Sequence, residues 1–257
     1  MKKYVIYGLI IVSLGVLILI VNITPKEKNY RILTVDTQYT YLYQKKQSLK
    51  LFLYFNDGKI PVTEQEGYER FKVHDKDDNK SLVLELINID YMNSEQYLNE
   101  TYYKYYYEFK IPNLANDFIV DDAILEIVFA NNKRIELQLG NFELIYLDNY
   151  QELDWSSLDS KKESSDSFQI SNIMIEFFDN IAKIDDIKIG SESVNFIMYE
   201  NAINVIIPKK DLVITNLPVI INTTNKIFVV KNHDYIIEYN LLEKVKKGIN
   251  NYEFNIW

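Results

Sequence analysis

The sequence predicts a mainly β protein in which an N-terminal transmembrane helix is followed by two antiparallel β-sandwich domains. Three observations predict it. Tyr4 to Val21 is a run without a charged residue, and after residue 29 the hydrophobic period is two, the period of a strand. The aromatic content, 21 Tyr and 13 Phe against only 7 Gly and 5 Pro, favours half-buried pleated surfaces. The expected division is a cytoplasmic tail, transmembrane anchor and juxtamembrane segment at 1–29, a first sandwich at 30–155, a polar linker at 156–167 and a second sandwich at 168–257.

The apolar run is preceded by Lys2 and Lys3 and interrupted only by Gly8, Ser13 and Gly15. At 1.5 Å per residue it is about 27 Å long as a helix, close to the thickness of a bilayer's hydrocarbon core. Val21, Asn22, Ile23, Thr24 and Pro25 follow with no small-residue cleavage pattern, so the segment reads as an uncleaved signal anchor of a bacterial cell membrane. The expected topology is single-pass, with the N-terminus cytoplasmic and the domains extracytoplasmic, because long domains behind a lone N-terminal span translocate largely regardless of charge.

In the first sandwich, strands are expected near 30–36, 49–55, 68–74, 81–89, 101–111, 118–130, 133–139 and 142–148. Leu49, Leu51, Leu53 and Phe55 alternate with Lys50, Phe52 and Tyr54. The clearest hairpin joins Ile124–Ala130 to Arg134–Leu139 around Asn131 and Asn132. Residues 156–167 have Leu158 as their lone large apolar side chain among Ser, Asp, Lys and Glu, the composition of a solvated linker. Beyond them, strands are expected near 168–178, 181–189, 194–199, 202–207, 211–216, 218–222, 226–231, 234–240 and 251–257.

Near the end, Leu241 to Lys247 reads as a short helix with Asn240 as N-cap and Gly248 just past its C-terminus. Tyr252, Phe254 and Ile256 then alternate with Glu253, Asn255 and Trp257. A helical turn, a glycine and an aromatic closing strand together resemble the last part of bacterial immunoglobulin-like modules. The resemblance covers about 25 residues; it implies an immunoglobulin-like sandwich and no particular function.

Composition excludes several chemistries. The absence of Cys removes disulfides, thiolate metal sites, cysteine nucleophiles and lipoprotein anchoring. A net charge of −9 argues against general nucleic-acid binding, which needs a Lys/Arg surplus. The glycines are too scattered for a phosphate-cradling loop, so no nucleotide cofactor is expected. His74 and His233 are the two histidines; a His-rich metal site is excluded, and no metal, cofactor-binding or catalytic residues are expected. Asp75, Asp77 and Asn79 have the spacing that opens a calcium loop, but Lys80 stands where Gly is needed and Leu86 where the bidentate Glu belongs, so Asp75–Lys80 reads as a polar hairpin tip.

The densest feature is the aromatic strand from Thr101 to Ile111. Alternation places Tyr103, Tyr105, Tyr107 and Phe109 on a core face, with Tyr102 and Tyr106 on the opposite face beside Lys104, Glu108 and Lys110. Tyr102 and Tyr106 are therefore the candidate partner-binding face, tyrosine giving contact area and a hydroxyl at low entropic cost. The functional expectation is a non-enzymatic envelope protein that meets the membrane through its span and a protein or cell-wall polymer through this face. An accessory subunit of a membrane complex such as a transporter, and a hydrolase built from carboxylates alone, are the alternatives.

Overall fold

The computed structural model describes residues 30–43, 48–58, 67–164, 169–178, 183–210, 212–216, 218–230 and 240–254. The expected tail and membrane anchor at 1–29, and residues 234–239 of the strand expected at 234–240, lie outside the described residues.

The chain is mainly β. Strands β1 (Tyr30–Val35), β2 (Thr37–Leu42), β3 (Ser48–Phe55), β4 (Tyr68–His74), β5 (Ser81–Tyr97), β6 (Glu100–Lys110), β7 (Phe118–Phe129) and β8 (Arg134–Ile145) build the first sandwich. One sheet runs β1-β3-β6-β5 and the other β2-β8-β7-β4-β5. The 17-residue β5 belongs to both: Ser81–Leu84 pair with β4, and Glu85–Tyr97 pair with β6, across two register shifts. Such bulges let one strand turn the corner of a sandwich. The inward residues alternate as the sequence requires, with Leu49, Leu51, Leu53 and Phe55 meeting Phe71, Val73, Leu125, Ile127, Leu137 and Phe142 in one core.

The chain also switches sheets at Asp36. β1 pairs with β3, whereas β2 pairs with β8 in parallel. The continuation of β1 was not expected as a strand of its own, and its parallel pairing departs from a purely antiparallel sandwich. The strands expected at 133–139 and 142–148 are one strand, β8. It continues through Gly140, whose φ of 101° faces a bulge in β7 and whose missing side chain lets the β2 backbone close in: a Cβ there would stand 2.5 Å from Thr37 N.

The second sandwich holds β9 (Gln151–Glu152), β10 (Trp155–Lys162), β11 (Ile170–Phe177), β12 (Ile184–Ile189), β13 (Glu192–Ser193), β14 (Phe196–Met198), β15 (Ala202–Ile206), β17 (Val219–Thr223) and β18 (Ile227–Val230). Its sheets run β10-β11-β15-β14 and β13-β12-β17-β18-β9 around an Ile/Val core. The linker expected at 156–167 is corrected here, since residues 155–162 are β10, paired along their length with β11. β10 is an edge strand with mostly exposed side chains and only Leu158 reaching towards the core. Charged and polar residues on an edge strand prevent further pairing, which is why its composition imitates a linker.

Two segments cross back to the first sandwich. β16 (Val213–Asn216) leaves the second sandwich and adds in parallel to β2. The helix α1 (Leu241–Lys244) and β19 (Ile249–Phe254) return to the far edge, where β19 pairs with β1. The expectation that 168–257 is one second sandwich is thus corrected at its end. The alternating Tyr252 and Phe254 pack on the aromatic core of the first sandwich, with Phe254 stacked on Phe129 at 6.2 Å and Tyr252 Oη accepting from Gln138 N at 2.7 Å. Between the sandwiches, Leu42 and Ile145 pack on Ile220 and Val229. The buried Glu143 carboxylate accepts from Thr40 Oγ1 (3.0 Å), Ser191 Oγ (2.6 Å) and Ser191 N (3.2 Å).

Candidate functional site

The outer face of the β1-β3-β6-β5 sheet carries both tyrosines that the sequence singles out. Register places Phe52, Tyr106 and Asp90 in one row, Tyr54, Lys104 and Asn93 in the next, and Tyr102 beside Glu95. The alternation is as expected, with Tyr105, Tyr107 and Phe109 in the core and Tyr103 packed against it. The fates of Tyr102 and Tyr106 nevertheless differ.

Tyr102 is only 2% exposed and is not free to meet a partner. It lies in a cluster with Leu33, Val35, Tyr54, Val213, Leu241, Leu242 and Val245, roofed by α1. Its ring meets Tyr97 edge-on at 6.3 Å, and its hydroxyl donates to Glu100, which also pairs with Arg31. The expectation that Tyr102 belongs to an open face is therefore corrected. The cover comes from residues at the other end of the chain, which strand alternation does not reveal.

Beneath the same roof sits a buried ion pair that no sequence motif announces. Glu95 is 1% exposed; its Oε2 accepts from Leu242 N at 2.9 Å, and its Oε1 lies 3.5 Å from the Tyr54 hydroxyl and 4.0 Å from Lys104 Nζ. Glu95 thus satisfies a free N–H in the first turn of α1. This is the role expected of Asn240, which instead adopts a left-handed conformation and makes no side-chain cap. Burial pushes the Lys104 ammonium below the ordinary lysine range, the Glu95 charge opposing that effect, while the rings of Phe52 and Tyr54 at 4.9 and 5.4 Å supply cation–π contacts.

Tyr106 occupies the uncovered half. It is half-buried, its hydroxyl donates to Asp90 Oδ2 at 2.5 Å, and Lys50 Nζ lies 4.3 Å from its ring centroid. The hydrogen bond to Asp90 is the main reason its hydroxyl is pushed up to about 12. Asn88 Nδ2 donates to the same oxygen at 2.5 Å, and Glu108 accepts from Ser48 in the next row. Lys50, Phe52, Tyr106, Asp90 and Asn88 therefore form a polar aromatic surface held in one geometry by its own hydrogen bonds. Such a surface offers a ring, a cation and carboxylate oxygens to a ligand laid across the strands. Among the described residues, one group has metal-ligating chemistry, His74 with Glu126 and Glu136, and it lies on the other sheet of this sandwich.

No protein-family model matches the sequence, and no curated protein matches it. Among solved structures, a marsupial T cell receptor chain aligns at 10% identity over 78% of this chain and 99% of its own, with a TM-score of 0.24. A second marsupial T cell receptor chain aligns at 11% identity over 82% and 98%, again with a TM-score of 0.24. A likeness of that size carries no argument about this chain.

Proposed function

We propose that this chain is a bacterial membrane-anchored, non-enzymatic binding protein made of two immunoglobulin-like sandwiches displayed outside the cell. The observation that carries the reading is the strand order. In immunoglobulin letters, β1-β3-β6-β5 reads A-B-E-D and β4-β7-β8 reads C-F-G. The second sandwich repeats the pattern, with β10-β11-β15-β14 as A-B-E-D and β12-β17-β18 as C-F-G. This order supports the module assignment without the conserved disulfide, because the cores are filled by aromatic and aliphatic side chains. The uncharged run from Tyr4 to Val21 supports the anchor, and the Tyr106 surface supports contact with a protein or a wall polymer.

Two measurements test the reading together. The chain has no Cys, so Ser160→Cys, at an exposed position on β10, gives it a single thiol. A membrane-impermeant maleimide applied to intact cells is expected to label that thiol; labelling only after lysis would place the domains inside. Full-length protein in detergent is expected to co-sediment with the cell-wall polymer or to crosslink one partner protein through the Tyr106 face. In either case Lys50→Ala should weaken capture, and capture indifferent to Lys50 would reject that face.

A further inference from the structure

We propose that His74, Glu126 and Glu136, on the outer face of the β4-β7-β8 sheet, form a binding site for a divalent transition-metal ion of the zinc class, with Arg134 as its built-in competitor. One ligand atom from each of these residues lies within 4.8 Å of the other two. They converge by register: Glu126 stands opposite Lys72 on one side and Glu136 on the other, and His74 follows two residues after Lys72 on the same face.

The histidine is the observation that points to a ligand. It is 5% exposed and stands just before the turn in which Asp75 N donates to Lys80 O at 3.0 Å. His74 Nδ1 lies 2.7 Å from the Asp75 carbonyl. A carbonyl can only accept, so Nδ1 carries a proton, and in the neutral ring Nε2 holds the lone pair. Nε2 has no hydrogen-bond partner. An imidazole whose Nδ1–H is fixed by a backbone carbonyl, with an unpartnered Nε2 and a ring nitrogen within 4.8 Å of two carboxylate oxygens, has the arrangement of metal-binding histidines. Leaving that nitrogen buried and unpaired carries a desolvation cost that an ion would relieve.

The carboxylates bring a second demand, for positive charge between them. Glu126 is 1% exposed and Glu136 lies directly across the strand pair from it, an arrangement of like charges that destabilises a sheet unless a cation stands between them. Arg134 supplies that cation, with Nη1 3.0 Å from Glu126 and Nη2 on Glu136, but it is 58% exposed and can swing into solvent. Arg70 holds the other Glu126 oxygen at 2.8 Å, with Lys72 at 3.8 Å from it. The ion would therefore replace Arg134, exchanging one positive charge for two, rather than crowd in beside it. One imidazole and two carboxylates form a nitrogen–oxygen donor set suited to zinc, leaving a fourth position for water. Metal–ligand bonds of about 2.0–2.2 Å require the donors to draw together, and the exposed Glu136 is the one able to move.

The test is calorimetric titration of Zn²⁺, and of Co²⁺ with its visible spectrum, into full-length protein dialysed against a chelator. Wild type is expected to bind one equivalent, with tetrahedral Co²⁺ absorption. Glu136→Gln, at a solvent-facing position that should leave the fold intact, is expected to weaken binding at least about tenfold, and His74→Gln by as much or more. Arg134→Gln is expected to tighten it by about tenfold, the signature of a displaced competitor that a merely structural arginine would not give. His233→Gln should bind as wild type does. Absence of binding in wild type, equal binding by Glu136→Gln, or loss of binding in Arg134→Gln would each overturn the proposal.

Discussion

The two sandwiches share a strand order and differ in what they bury. The first is filled with rings, including Tyr39, Phe55, Phe71, Tyr107, Phe109 and Phe142, whereas the second is almost wholly Ile and Val with Phe177 as its buried ring. Among the described residues, every buried polar or charged side chain, from Thr34 and Gln38 to His74, Glu95, Glu126 and Glu143, belongs to the first. Buried polar groups cost stability unless satisfied, so the first sandwich depends on specific hydrogen bonds and ion pairs where the second depends on apolar packing. The second sandwich contributes to that polar interior from outside, adding β16 to the β2 edge and bracing Glu143 through Ser191.

The largest expected consequence is alkaline lability confined to the first sandwich. Burial pushes the Tyr39 and Tyr102 hydroxyls up to about 12, and those of Tyr54, Tyr68 and Tyr107 well above the ordinary value; all five lie in this sandwich. A phenol whose pKa is raised on folding contributes stability that is complete below its unfolded value of 10.0 and is lost as pH climbs towards 12. A tenfold change in a proton-binding constant corresponds to about 1.4 kcal/mol, so the fully buried Tyr39 alone accounts for about 3 kcal/mol. Lys104 acts in the opposite sense: its depressed pKa favours the neutral form, adding stability as pH rises towards 10.5, but it is one group against several. Tyrosinate absorbance and circular dichroism should therefore change together between pH 10 and 12. Full titration of the tyrosines near pH 10 with the fold intact would break the comparison.

Next in size is Tyr102→Ala. Removing a ring that is 2% exposed beneath α1 should cost about 3 kcal/mol and unsettle Leu241 and Leu242. Thermal unfolding that matches wild type would mean that α1 does not cover this face.

Gly190→Ala addresses the joint between the sandwiches. Gly190 has φ of 61°, and a Cβ there would stand 2.5 Å from Glu143 Oε2 and 3.1 Å from Thr40. Strain in a left-handed residue combined with loss of the Glu143–Ser191 contact should cost about 1–3 kcal/mol. The visible effect should be separation of one melting transition into two, because the variant strikes the joint and leaves both cores intact. A single unshifted transition would show that β16 and the Leu42–Ile220 packing suffice without Glu143.

How much of this was legible in the sequence follows from the range of each interaction. Strands such as Tyr68–His74 and the Asn131–Asn132 hairpin were readable because alternation and turn residues act over a few positions. The two faces of the Thr101–Ile111 segment were readable for the same reason. What failed was long-range. Nothing near Tyr102 announces Leu241, and nothing in Phe254 says that its partners are Phe129 and Tyr30 rather than a neighbouring strand. The polar β10 failed for a different reason, since an edge strand and a linker are both selected to remain soluble. The His74 cluster lies between these cases. The hairpin register places Glu126 opposite Glu136, but only the pairing of β4 with β7 brings His74 to them.

The smallest expected effect is that of Tyr106→Ala, and it separates a binding surface from a packing surface most sharply. Tyr106 lies on the same face as Tyr102, four residues along β6, yet α1 covers one and leaves the other half-exposed. Its interactions are a hydroxyl on Asp90 and the Lys50 ammonium over its ring. Water can replace the first, and a solvent-accessible cation–π contact is worth about 0.5–1 kcal/mol, so truncation should lower stability by less than about 1 kcal/mol. Asp90 and Asn88 would remain solvated rather than stranded, which keeps the loss small. Chemical denaturation of the full-length protein measures it directly, with Tyr102→Ala as the reference. A loss as large as that of Tyr102→Ala would show that the Tyr106 row is packed like the roofed half, and the surface assigned to partner contact would then be part of the fold's own support.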